Sequence, residues 1–137
     1  MLLDVIEHIA DDVLFLQNLK TRFKNLQKII ITIPVRSELF SNYDEFNEHY
    51  RRYDLNMIGK FLNETGIKIT YCSYLLHTLY LLTRIMLRLF NKRKLFVSAP
   101  HGATIWIHFI IATYLYIDAL FLPKRLIGTS LLTVLNV

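Results

Sequence analysis

The run Lys28-Ile-Ile-Ile-Thr-Ile-Pro34 constrains this chain more than any other stretch of its sequence. Four isoleucines and a threonine in seven positions favour extended backbone, because β-branched side chains suit a pleated surface and lose freedom in a helix. The run is continuously apolar rather than alternating, which predicts a strand covered on both faces, as in a parallel sheet. Pro34 ends it by removing a backbone donor. Covering two faces takes helices, so this one segment asks for an α/β arrangement.

The flanking sequence supplies suitable elements. Met1 to Ile6 reads as the tail of an apolar strand. Asp11 and Asp12 then cap a helix whose apolar positions are Val13, Leu16, Leu19, Phe23 and Leu26. Residues 35–53 read as a polar, aromatic-rich loop. Asp54 caps a second helix carrying Leu55, Ile58 and Leu62, and Gly66 stops it. Ile67 to Ser73 and Thr129 to Val137 read as two further strands. Between them an apolar helical insertion, 74–127, holds two segments, Tyr74–Phe90 and Thr104–Leu122, separated by the basic turn Asn91-Lys-Arg-Lys94. All of this makes one partial domain, 1–137: the first strand begins mid-run, and a parallel sheet with an open edge and a bare face needs further strands and helices.

Composition narrows the functional classes. At 137 residues, 53% hydrophobic and 20% charged, the chain suits one domain and is no polar tail. Its four glycines, Gly59, Gly66, Gly102 and Gly128, are too scattered for a phosphate loop or a GxGxxG turn. A lone cysteine, Cys72, fits a reducing, cytoplasmic setting and leaves no thiolate set for zinc. The net charge of +5 is concentrated beside the apolar segments, at Arg84, Arg88, Lys92, Arg93, Lys94, Lys124 and Arg125. That placement points to an anionic membrane surface, met peripherally, rather than to nucleic acid. The start, Met-Leu-Leu-Asp, has no basic n-region of a signal peptide.

Three segments then resemble one family. Leu3-Asp4-Val5-Ile6-Glu7-His8-Ile9-Ala10-Asp11-Asp12 is similar to the D-V-L-E-H-I segment after the fourth strand of class I S-adenosylmethionine-dependent methyltransferases. Lys28–Pro34 resembles their fifth strand, and His49-Tyr-Arg-Arg-Tyr53 the H-Y-R-R-Y segment of one subgroup with an apolar insertion. Gly128-Thr-Ser-Leu-Leu132 resembles that subgroup's last strand. The resemblance implies the C-terminal half of a Rossmann-like methyltransferase sheet. The family's first strand, glycine-rich turn and ribose-holding acid would lie upstream of Asp4, and Asn25-Leu26-Gln27 stands where Pro-Gly-Gly is usual. It therefore implies a truncated or split methyltransferase that binds no S-adenosylmethionine alone and needs a complementary cofactor-binding half or self-association.

The candidate residues follow. Asp4, Glu7 and His8 sit past the carboxyl end of a strand, where ligands gather in open α/β sheets. Methyltransferases with an E-x-x-E-H version of this segment hold a divalent metal with it, which makes Asp4, Glu7 and His8 an alternative metal set; the other reading has His8 against the cofactor edge and the acids at a helix start. His49 suits a general base, and Arg52 (or Arg51) a grip on an anionic or carbonyl group of an acceptor. The alternative is a surface loop whose arginines pair with Asp44, Glu45 and Glu48. Tyr74–Phe90 has one polar stripe, which suits a helix lying in a membrane interface through Leu75, Leu79, Leu82, Met86 and Leu89, with Arg84, Arg88, Lys92, Arg93 and Lys94 on headgroups. The remaining reading is a small membrane-anchoring or interaction protein whose hairpin 74–122 is its working part.

Overall fold

In the computed structural model, which describes residues 1–92 and 99–137, local capping chemistry sets most boundaries. Asp11 accepts the Leu14 N–H at 2.9 Å and starts α1 (Asp12–Arg22). Asp54 does the same for Met57 at the head of α3 (Leu55–Thr65), and Gly66 closes that helix at φ +67°, a conformation strained for any residue with a Cβ. The Lys28–Pro34 run is β2. The other strands are β1 (Leu2–Leu3), β3 (Lys68–Leu75) and β4 (Ser130–Asn136).

The sheet order is β1-β2-β4-β3. β1, β2 and β3 all run in the same direction, and β4 alone is reversed, slotting antiparallel between β2 and β3. The expected all-parallel character is thus corrected to a mixed sheet, since an apolar run reports cover on its faces and not the direction of its neighbours. Ile29, Ile31 and Ile33 of β2, with Leu131 and Leu135 of β4, pack against Leu16 of α1 and Ile58 and Phe61 of α3. Each such side chain contributes roughly 1.5–3 kcal/mol. The alternate residues Ile30, Leu132 and Val134 face the other side and are only half-covered. One face of the sheet is a core; the other is incompletely clothed.

Three expectations shift at their edges. The first strand is two residues long, because Asp4 takes a positive φ of 50° and the chain turns into a 3-10 turn at Ile6–His8. The loop 35–53 contains a 3-10 turn, Ser37–Leu39, and a short helix α2 (Asn42–Phe46). Leu75 belongs to β3, so the first apolar helix is α4 (His77–Phe90), followed by α5 (Thr104–Phe121). Arg93 and Lys94 of the expected basic turn lie outside the described residues.

The two helices of the insertion join at their base. Asp118 of α5 is buried and caps α4, accepting the backbone N–H of His77 at 2.9 Å and of Thr78 at 3.1 Å, and the Thr78 hydroxyl. Those bonds hold its carboxyl below the ordinary range although burial pulls the other way. The Tyr114 hydroxyl donates to Thr78 Oγ1. Beyond this clasp α5 is almost wholly exposed, with Trp106, Phe109 and Ile110 at 64–70%. Next to the insertion, Gly128 passes so close to β3 that a Cβ would meet the Leu75 carbonyl oxygen at 2.1 Å. Only glycine fits where the chain re-enters the sheet.

Candidate functional site: a cavity at the strand ends

Because β4 is antiparallel, its beginning lies beside the carboxyl ends of β2 and β3 (Pro34 and Leu75 both pair with Ser130). Four strand ends therefore share one rim. A cavity of about 360 Å³ opens there, lined by Asp4 after β1, Pro34 of β2, Leu76 after β3, and Thr129 and Ser130 entering β4. Glu7, His8, His49 and Arg52 line it as well, so all five residues selected from the sequence meet in this one place. Tyr43 and Asn47 of the α2 region, and Leu79 and Thr83 of α4, complete the wall.

The segment His49–Tyr53 is held here like a strap. Tyr53 N–H donates to the Pro34 carbonyl and Arg36 N–H to the Tyr53 carbonyl, laying the segment beside the exit of β2. The Tyr53 side chain is buried, and its hydroxyl donates to Asp12 at 2.6 Å. Burial first, then that carboxylate, push its ionisation far above the usual phenol range. Arg51 pairs with Asp12 at 2.8 Å rather than with Glu45 or Glu48. Tyr50 N–H donates to the Glu7 carbonyl at 2.8 Å, tying the strap to the turn that carries Glu7 and His8.

Asp44 is the hub. It is fully buried and accepts from Arg52 Nε at 2.7 Å, lies 3.2 Å from His49 Nδ1, and accepts the Ser41 backbone N–H at 3.0 Å. With Asp44 N–H bonded back to the Ser41 carbonyl, α2 is closed at its head. Arg52 also donates to the Val35 carbonyl. Two of its guanidinium nitrogens are thus bonded within the protein, where Arg52 positions Asp44 while still lining the cavity. Asp4 is likewise engaged: its N–H and carboxylate exchange bonds with Thr32 Oγ1 at 3.0 Å each.

Glu7 has no such partners. Its side chain is fully buried, and neither carboxylate oxygen makes a hydrogen bond. Burial, followed by the nearby Asp4 charge, raises its pKa above the ordinary 4.5, against the lowering pull of its own backbone N–H, His8 and Arg52. The sign follows from counting protons. Above about pH 4.5 the unfolded chain has released a proton that the folded chain still holds. Stability therefore falls as pH rises from there through the raised folded-state value, then levels off. Glu7→Gln should flatten that decline in urea-unfolding midpoints taken in chelator between about pH 4 and 8. An unchanged slope would place the titration elsewhere.

The close trio of metal-capable donors among the described residues is Glu7, His8 and His49, whose ligand atoms lie within 4.8 Å of one another. The His8 and His49 rings meet edge to face at 4.7 Å. Asp4, part of the trio drawn from the sequence, is not in this set. The Arg52–Asp44 pair is the one named in the surface-loop alternative; that Asp44 also holds His49 and the Ser41 N–H was missed, although Ser41-x-x-Asp44 carries the spacing of a capping box. Leu76, Leu79 and Thr83 were missed because nothing local to α4 says which sheet end it crosses. Compared with protein-family models and with curated proteins, the chain matches none.

Proposed function

We propose that this chain carries the acceptor-side rim of a class I S-adenosylmethionine-dependent methyltransferase. Its donor-binding half comes from outside these 137 residues. The observation that carries the reading is the meeting of Asp4, Glu7, His8, His49 and Arg52 in one cavity at the carboxyl ends of β1 and β2, where open α/β sheets bind ligands. The element order agrees with the resemblance: strand, helix, strand, strap, helix, strand, apolar insertion, last strand. The far edge of β1 and the half-covered face of Ile30, Leu132 and Val134 offer a docking place for a complementary half.

The chain's own residues do not suit the donor. No two glycines are close enough in sequence to form a pyrophosphate-type or nucleoside-type cradle, so no step through the donor is assigned to this chain. Its contribution is to orient the acceptor and take its proton. Asp44 fixes the His49 ring and keeps Nδ1 occupied, which leaves Nε2 as the base. In a complex reconstituted with a glycine-rich half, such as one encoded directly upstream, His49→Ala should lower kcat by roughly 10²- to 10⁴-fold with donor affinity unchanged. Equal rates would remove His49 from the reaction.

A second reading rests on the insertion. One side of α4, through Leu79 and Thr83, walls the cavity together with Leu76 just before the helix, while Leu82, Met86 and Leu89 on its other side are exposed. This arrangement supports a rim held against a membrane. Were reconstitution to yield no transfer while membrane attachment persisted, the chain would be a small anchoring or interaction protein.

A further inference from the structure

We propose that Arg84 and Arg88 bind the phosphate group of a phosphate ester in the cleft between α4 and the turn Ser37–Leu39. The inference starts from spacing. The two arginines are four residues apart on α4, so both guanidinium groups project from one side of the helix. They line a cleft of about 440 Å³ with Glu38, Ser41, Leu87 and Asn91. No carboxylate among the described residues pairs with Arg88. Arg84 lies 3.8 Å from Glu38 at the surface, where an ion pair holds only weakly. The Tyr80 hydroxyl accepts from Arg84 and donates to Glu38 at 3.3 Å, which sets both groups at the mouth of the cleft. Two guanidinium groups against one carboxylate leave a surplus of positive charge with room for a tetrahedral anion, whose oxygens suit their forked donors.

Position gives the second support. Leu79, Thr83 and Leu87 follow one another a turn apart on α4; the first two wall the strand-end cavity and the third lines the cleft. Opposite them, Ser41 lines the cleft and Tyr43, two residues on, lines the cavity. Both hollows therefore lie along one flank of α4. From Leu79 to Arg88 is about 13 Å along the helix axis. A ligand with its phosphate between the arginines would pass over Leu87 and Leu79 toward the rim that holds His49. For the proposed function this names the acceptor class: a phosphate ester whose reacting atom lies roughly 10 Å from its phosphorus. That step rests on the methyltransferase reading, whereas the phosphate site does not.

The ester is either a soluble molecule or the headgroup of a lipid beside α4, and the test separates the two without any methyl donor. Phenyl phosphate is titrated by calorimetry into the full chain in mild nonionic detergent. In a second arm the chain is floated with vesicles of phosphatidic acid or of phosphatidylserine, matched in surface charge. Saturable binding of one equivalent of phenyl phosphate marks a soluble ester. Capture by phosphatidic acid well above phosphatidylserine, with no phenyl phosphate binding, marks a lipid one. In whichever arm responds, Arg84→Gln and Arg88→Gln should each weaken binding by roughly 10- to 100-fold, and Arg88→Lys should restore only part of the loss. Glu38→Gln should tighten it several-fold by removing the opposing charge, while Lys124→Gln and Arg125→Gln leave it unchanged. Both arginines are exposed, so their variants keep the fold. No phenyl phosphate binding together with equal capture by the two vesicles, or binding that survives Arg88→Gln, overturns the proposal.

Discussion

Replacing Asp44 with alanine is expected to lower the unfolding free energy by about 3–5 kcal/mol, the usual consequence of removing one partner of a buried ion pair. Arg52 is 6% exposed and would keep its charge with no counter-ion. The Ser41 N–H would lose its acceptor and His49 its anchor in the same stroke. Asp44→Asn, which keeps the shape and an acceptor, should cost clearly less. Adding Arg52→Met to Asp44→Ala should recover part of the loss, since the uncompensated charge goes with it. Urea melts of the four proteins test this. A loss below about 1 kcal/mol for Asp44→Ala would mean that water already reaches the hub.

Membrane attachment through the insertion should show the other large effect. Leu81, Leu82, Leu89 and Phe90 of α4 are 53–70% exposed, more apolar surface than a chain in water normally carries in one patch. Arg84 and Arg88 flank a cleft of about 440 Å³ with Asn91, roomy enough for a phosphate headgroup. Each basic residue near an anionic surface adds roughly 1 kcal/mol, so neutralising Arg84, Arg88, Lys92, Arg93 and Lys94 to glutamine should weaken binding by several decades at low salt. Liposome flotation should show capture by anionic vesicles that falls, without vanishing, as salt rises. Trp106, 70% exposed on α5, should shift its fluorescence to the blue on binding. The helix is 18 residues, about 27 Å long, close to a bilayer core. Its Asp118 is tied to the base of α4, which favours lying in the interface. Equal binding to neutral vesicles, with resistance to carbonate extraction, would instead make α5 a span.

Sequence carried the site further than the sheet. Asp11, Asp54 and Gly66 are legible because capping acts within one turn of chain, and the structure places all three at helix ends. Asp4, Glu7, His8, His49 and Arg52 could be drawn together because each follows a strand whose end was readable. Strand direction was not legible. Whether β4 enters parallel or antiparallel depends on a crossover through α4 and α5, and β-branched runs look the same either way. The role of Asp118 was not legible for a related reason: nothing within its own apolar helix shows that it caps a helix forty residues earlier in the chain. Leu75 and Leu79 were assigned to a lipid-facing arc, yet Leu75 is in β3 and Leu79 lines the cavity. Helical spacing cannot tell an apolar face that meets lipid from one that meets the rest of the fold.

On the proposed reading, the cavity is half of a methyl-transfer site whose donor half comes from outside these residues. Calorimetric titration of S-adenosylmethionine tests it most directly, first into this chain and then into its complex with a glycine-rich half. No saturable heat is expected from the chain alone, and micromolar binding from the complex. Saturable micromolar binding by the chain alone, or none by a complex that demonstrably forms, would contradict it.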